Sequence, residues 1–143
     1  DNDDAKRLRD QAFLITEFLA AKAPGFAIPP LHASAVVHGH CHERAVLDFE
    51  SERKVLDRLG VEYTILDSGC CGMAGAFGFE RDHYDVSVAC GERVLLPSVR
   101  SAPADTLVVA NGFSCREQIA QLTNRRAMHI AEVLKRALDG ATP

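Results

Sequence analysis

The sequence predicts an α/β fold: a parallel sheet of three to four strands with helices on both faces. Two observations carry this. Apolar, strand-like runs at 33–38, 61–66 and 106–110 alternate with segments of helical period, and such alternation builds parallel sheets joined by right-handed crossovers. Each run also leads into a loop that holds cysteine and glycine, and in open parallel sheets the loops beyond the carboxyl ends of the strands form the binding crevice. With 143 residues, 47% of them hydrophobic, the chain suits one ordinary core. The expected organisation is a single domain over 1–143, with a covering helix within 1–24 and an α/β core over 31–138.

Taken in order, Ala5 to Ala23 places Leu8, Ala12, Phe13, Ile15, Phe18 and Leu19 at helical spacing, with Asp3 or Asp4 as N-cap and Pro24-Gly25 as the stop. Pro24, Pro29 and Pro30 make the next stretch a connection. The first strand, 33–38, ends at His38-Gly39-His40-Cys41-His42. Phe49 to Leu59 reads as a helix closed by Gly60. The second strand, 61–66, runs into Gly69-Cys70-Cys71-Gly72-Met73-Ala74-Gly75-Ala76-Phe77-Gly78. One helix of about five turns is expected over 79–99, with Val86, Ala89, Cys90, Val94 and Leu95 at helical spacing and a bend or end near Pro97. The third strand, 106–110, leads to Asn111-Gly112-Phe113-Ser114-Cys115, and a helix starts there. Residues 127–129 read as a short fourth strand or a loop, and Ile130 to Leu138 as the closing helix.

Composition excludes several function classes. The formal charge is -4 and no lysine- or arginine-rich cluster occurs, which argues against a nucleic-acid partner. No apolar run approaches the roughly 20 residues of a membrane span. The opening Asp1-Asn2-Asp3-Asp4 is no leader peptide, and its lack of methionine points to the C-terminal fragment of a longer polypeptide. Five cysteines are an odd number for a disulfide framework, so a reduced, cytoplasmic setting is expected, with any membrane association through partners.

The cysteines are the chemistry. Cys41, Cys70, Cys71 and Cys115 each follow a strand, so three separate loops bring four thiols to one edge of the sheet. That count satisfies a four-cysteine zinc site or an iron-sulfur cluster equally, and does not choose between them. Cys90, in the middle of a helix, reads as packing. His40 and His42 flank Cys41 and are read, with Gly72 and the cation Arg116, as groups surrounding the donors. Helices starting after Cys71 and at Cys115 would turn backbone N–H groups toward the thiolates. The glycine spacing matches neither G-x-G-x-x-G nor a Walker A loop. A cysteine nucleophile with a histidine base would leave the other thiols without a purpose. The apolar loop residues Met73, Phe77 and Phe113 are the expected contact surface for a partner.

On these residues the chain resembles the cysteine-rich CCG domain found in heterodisulfide reductases and in the iron-sulfur subunits of glycolate and lactate oxidases. His38-Gly39-His40-Cys41-His42, Gly69-Cys70-Cys71-Gly72 and Gly112-Phe113-Ser114-Cys115-Arg116 are most similar to the C-terminal region of FAD-linked oxidases of the 2-hydroxyglutarate dehydrogenase type. The likeness runs over 31–138. It departs from the pattern at Gly112, where the family has the first cysteine of a Cys-x-x-Cys. The resemblance implies an iron-sulfur cluster of the 4Fe-4S kind on Cys41, Cys70, Cys71 and Cys115, transferring electrons in a flavin-dependent 2-hydroxy acid oxidoreductase. It also implies FAD in an upstream domain, and flavin-binding and ferredoxin-like domains as partners in the same chain or complex. No flavin fingerprint or ferredoxin-type cysteine run is present, so the chain alone is expected to be catalytically silent. The alternative is a non-redox structural or interaction module with a four-cysteine zinc site.

Overall fold

The computed structural model describes residues 2–47 and 49–140. Asp1 of the acidic start and residues 141–143 of the expected domain lie outside them. Three parallel strands, β1 (Ser34–His38), β2 (Glu62–Ile65) and β3 (Leu107–Ala110), form a sheet in the order β2-β1-β3. Among the described residues, eight α-helices surround it: α1 (Asp3–Gln11), α2 (Ile15–Ala21), α3 (Cys41–Val46), α4 (Glu50–Leu59), α5 (Tyr84–Glu92), α6 (Leu95–Ser101), α7 (Phe113–Leu122) and α8 (Ile130–Leu138). The predicted α/β class and parallel sheet are therefore what the chain forms. In place of a fourth strand there is a single parallel bridge between Val109 and Met128.

The two-residue period of the strands sorts the core into two layers. Ala35, Val37, Leu107 and Val109 pack with Val55, Leu56 and Leu59 of α4 and with Ile130, Val133 and Leu134 of α8. Val108 and Ala110 lie on the opposite face, with Leu95 and Val99 of α6 and Cys115 and Ile119 of α7, and Val36 packs against them. Both faces are thus covered, as near-continuous apolar strands require. Because β1 pairs with β2 on one side and β3 on the other, the chain reverses its direction of winding at β1. The loops after the three strands therefore open onto one crevice at the carboxyl edge.

Two helices differ from their predicted form. The segment expected to run from Ala5 to Ala23 leaves helical geometry at Ala12 and resumes at Ile15. No residue of α1 is buried, whereas α2 buries Thr16 and Leu19 and is tied to α4 by Arg58 Nη1 donating to Leu19 O at 3.2 Å. With nothing beneath α1, its apolar residues gain nothing from staying on one continuous stripe. The long helix over 79–99 is likewise divided. Short 3₁₀ turns at Phe77–Phe79 and Arg81–His83 precede α5, and α6 follows as a separate helix. The buried side of α5 is Ser87 and Gly91, while Val86 is exposed and Cys90 half-buried. Small residues turn inward here because the Cys70-Cys71 loop lies directly against this helix.

Candidate metal centre

The crevice collects the four cysteines. Cys41 is the first residue of α3, Cys70 and Cys71 follow β2, and Cys115 lies in the first turn of α7. Cys71 and Cys115 are buried, Cys70 is half-buried and Cys41 is exposed. The Sγ atoms of Cys71 and Cys115 lie within 4.8 Å of each other and of a ring nitrogen of His38, a group that does not take in Cys41 or Cys70. Both Cys41 and Cys70 also act electrostatically on Cys115. The site thus has an inner pair and an outer pair of sulfurs.

Backbone N–H groups support the sulfurs. Gly72 N donates to Cys70 Sγ at 3.3 Å, and the N–H of Met73 serves Cys71. Gly72 must be glycine on two counts: its φ is +98°, and a Cβ there would lie 2.0 Å from Ser87 O of α5. The loop is also fixed by Gln118, whose Nε2 reaches Cys71 O and Ser87 O, each at 3.0 Å. No helix starts just after Cys71. The loop continues through a turn, so helix N-termini lie at Cys41 and beside Cys115 and not at Cys71.

The electrostatics differ between the inner sulfurs. The hydrogen bond from Cys115, followed by contributions from His38 and the Met73 N–H, lowers the Cys71 thiol to about 4 against the opposing effect of burial. Cys115 is pushed up, first by that same hydrogen bond to Cys71 and then by burial. Burial raises Cys70, partly offset by the Gly72 N–H. A cation that takes the place of the thiol protons would offset the repulsion among these sulfurs.

His38 belongs to this centre, although the histidines flanking Cys41 are the better candidates by sequence. It is 2% exposed, and one of its ring nitrogens and the Sγ atoms of Cys71 and Cys115 all lie within 4.8 Å of one another. Nδ1 is 2.7 Å from Ser68 Oγ, while Nε2 is buried without a well-formed hydrogen bond. A buried polar atom left in that state costs roughly 1–3 kcal/mol. A signal for this is present in the sequence. Counting by two from Val36 puts His38 on the sheet face that Cys115 covers, as a polar side chain closing an apolar strand.

The other predicted neighbours have different positions. His40 is the N-cap of α3, its Nδ1 accepting from Glu43 N at 3.4 Å. Its ring occupies the space beside Gly112, where a Cβ would lie 2.0 Å from His40 Cδ2 and 2.8 Å from Cys115 Sγ. His42 stands edge-on to His40 at 6.3 Å, and with Glu43, Leu47, Asn111, Gly112 and others both histidines line a recess of about 240 Å³. Arg116 Nη1 donates to Ala110 O and Asn111 O at 3.2 and 2.6 Å, fastening α7 to the end of β3. Cys90 lines a different recess with Cys70 and Arg93. Of the apolar surface expected around the site, Met73 is corrected to a core residue, 1% exposed, because the loop folds inward beneath Gly78. Phe77 stacks on His83 at 4.2 Å, and Phe113 is 64% exposed.

A buried carboxylate pair underlies the outer sulfur. Glu43 of α3 and Glu52 of α4 share the Nδ2 of Asn111, at 3.4 and 2.5 Å. Burial, then the charge of Glu43, raises Glu52 from its ordinary 4.5 to about 8. Through Asn111 this pair links the helix that carries Cys41 to the loop that leads into the helix of Cys115.

A nitrogen and sulfur donor set, two members of which are exposed or half-exposed, suits a thiophilic metal or an iron-sulfur cluster. The buried Nε2 and the N–H groups aimed at sulfur fit such a group. The chain is similar to dehydrogenase proteins. It is 36% identical over 141 residues to one subunit of the anaerobic glycerol-3-phosphate dehydrogenase of Escherichia coli K12, a match covering 96% of this chain and 35% of that relative. It is 29% identical over 108 residues to the D-2-hydroxyglutarate dehydrogenase of Pseudomonas putida, covering 74% of this chain and 10% of that enzyme. The same enzyme of E. coli K12 is 28% identical over 98 residues, 67% of this chain and 10% of its own length. The chain therefore spans about a third of the first relative and a tenth of the others. No family model matches the chain, and no solved structure does. Among the described residues no helix is long and apolar enough to cross a membrane.

Proposed function

We propose that Cys41, Cys70, Cys71 and Cys115 bind an iron-sulfur cluster, of the 4Fe-4S kind, in a CCG-type domain that carries electrons for an FAD-linked dehydrogenase. What supports the reading is that Cys71 and Cys115, both buried, come within 4.8 Å of each other and of a His38 ring nitrogen, and that Cys41 and Cys70 act electrostatically on Cys115. When bound, the cluster would accept and release single electrons. The chain's own residues prepare the donors: the Gly72 N–H reaches Cys70, the Met73 N–H favours the Cys71 thiolate, and Gln118 fixes the loop. The inner pair keeps water from one side of the centre, while the exposed Cys41 leaves the other side near the surface, where electrons can enter or leave.

Glycerol 3-phosphate and D-2-hydroxyglutarate, named in the relatives, both carry a secondary hydroxyl on an anionic molecule. The substrate class is accordingly a secondary alcohol of this kind, with 2-hydroxy acids first. Substrate oxidation and FAD belong to partner domains of the same chain or complex, and the setting is cytoplasmic. Support for a partner comes from the exposed Phe113 beside Cys115 and from Leu8, Phe13, Ile15 and Phe18, which leave α1 and α2 with uncovered apolar surface.

The test uses the complete dehydrogenase. With Cys71→Ser, substrate should still bleach the flavin and reduce a dye that takes electrons directly from it, while reduction of the physiological acceptor stops. Undiminished transfer to that acceptor would overturn the reading.

A further inference from the structure

We propose that His38 Nε2 is a ligand to the metal position formed by Cys71 and Cys115, an inference that rests on the metal-binding reading of this site. Four features of the chain lead to it. First, His38 shares the face of β1 with Val36, toward the layer that holds Cys115 and Ile119, in register with Ala110, so the strand fixes its ring in the crevice. Second, one of its ring nitrogens is within 4.8 Å of both inner sulfurs. Third, Nδ1 has the buried Ser68 hydroxyl at 2.7 Å, and an Nδ1–H donated to that oxygen leaves the lone pair on Nε2. This is the usual arrangement of a ligating histidine, whose second nitrogen is tied to an oxygen. Fourth, Nε2 is the nitrogen without a well-formed hydrogen bond, in a place closed to water.

His40 supplies the contrast. Its Nδ1 accepts a hydrogen bond from Glu43 N, so its proton resides on Nε2 and that nitrogen has no lone pair to give. It can donate to sulfur but cannot ligate without giving up its cap. Two imidazoles close to the same thiols are therefore assigned different roles by what their Nδ1 atoms touch. In an iron-sulfur centre, nitrogen in place of sulfur raises the reduction potential. Where His38 takes the place of one of the four cysteines on the cluster, it would make the centre a better electron acceptor than four thiolates alone.

The experiment is metal-edge X-ray absorption on the full chain, purified anaerobically, with elemental analysis to choose the edge. Pulsed EPR follows on dithionite-reduced, ¹⁵N-histidine-labelled protein if the metal is iron. A histidine nitrogen should appear in the coordination sphere of the wild type. His38→Cys should keep the metal, lose that nitrogen and, with iron, lower the potential. Ser68→Ala, which leaves the ligand in place, should keep the nitrogen and weaken metal retention by roughly 10–100-fold, and it serves if His38→Cys does not fold. A sphere of sulfur alone in the wild type, or an unchanged nitrogen signal in His38→Cys, overturns the proposal. Iron and sulfide with sulfur ligands alone would remove His38 and leave the electron-transfer reading standing. Zinc with a histidine nitrogen would do the reverse, and a chain that binds no metal would remove both.

Discussion

Cys71 and Cys41 face the same crevice, but the chain holds them by different means. Cys71 is anchored by neutral groups: Gln118 bonds its carbonyl and α5, the Met73 N–H serves its sulfur, and Gly72 allows the loop to touch Ser87. Cys41 starts the short helix α3, which is fastened through Glu43 to Glu52 and Asn111, a buried acid pair that keeps a proton. The loop of Cys71 is therefore set by packing and neutral hydrogen bonds, whereas the helix of Cys41 depends on a carboxyl group remaining neutral. The inner sulfurs thus define the site, and the outer ones close it.

The largest effects should come from the sulfurs themselves. Cys71→Ser and Cys115→Ser should each abolish metal binding and, because the hydroxyl enters an apolar cluster, lower stability by about 1–3 kcal/mol. Cys41→Ser should remove most of the metal with little loss of stability in the apo protein. Cys90→Ser, at a half-buried position outside the cluster, should leave metal content intact and change stability by about 0.5 kcal/mol or less. Metal analysis and urea unfolding of the four variants measure this. Equal stability costs at Cys41 and Cys71 would erase the distinction between inner and outer.

Glu52 gives the next largest effect. Its carboxyl titrates near 4.5 in the unfolded chain and about 8 in the folded one. The unfolded state therefore loses its proton first as pH rises. Stability from this group is complete below pH 4.5, falls across the interval up to about pH 8, and is then level, for a total of up to about 5 kcal/mol. Glu52→Gln, which can still accept from Asn111, should remove most of that slope and stabilise the protein at pH 8. The measurement is urea unfolding of both proteins at pH 5, 6.5 and 8, and parallel curves for the two would show that Glu52 is not the source.

Gly72→Ala tests the inner half with a smaller change. The left-handed backbone and the 2.0 Å approach to Ser87 O each carry a cost of about 1–3 kcal/mol. The sum should appear in denaturant unfolding of the apo protein, before any metal is added. A near-neutral result would mean that the loop can leave α5 freely, and the pre-set character of the inner half would be lost.

Much of this is legible in the sequence, and for identifiable reasons. The strands at 34–38, 62–65 and 107–110 are short runs rich in β-branched residues between glycine, proline and helical segments, and the cysteines follow each of them, so their common edge comes from topology alone. The helices depart from their pattern where the neighbouring surface decides. In α5 the residues that turn inward are Ser87 and Gly91, since the loop presses too closely for Val86 or Cys90. α1 carries an apolar pattern with nothing beneath it. Met73 sits among loop residues but packs inward, because the turn at 74–76 folds back over it. His38 is harder to see than His40 and His42, which are nearer to Cys41 in the chain but do not share the strand face of the buried sulfurs. The Glu43–Glu52–Asn111 set joins three separate elements and has no local signature.

That these sulfurs hold an iron-sulfur cluster is tested most directly by iron, zinc and acid-labile sulfide analysis of the anaerobically purified chain, together with its visible spectrum. The expected result is iron and sulfide in equal amounts, a brown protein with broad absorption that fades on reduction, and loss of all three in Cys71→Ser. A colourless chain with one zinc and no sulfide would contradict it, and would make the centre a structural clamp on the carboxyl edge of the sheet.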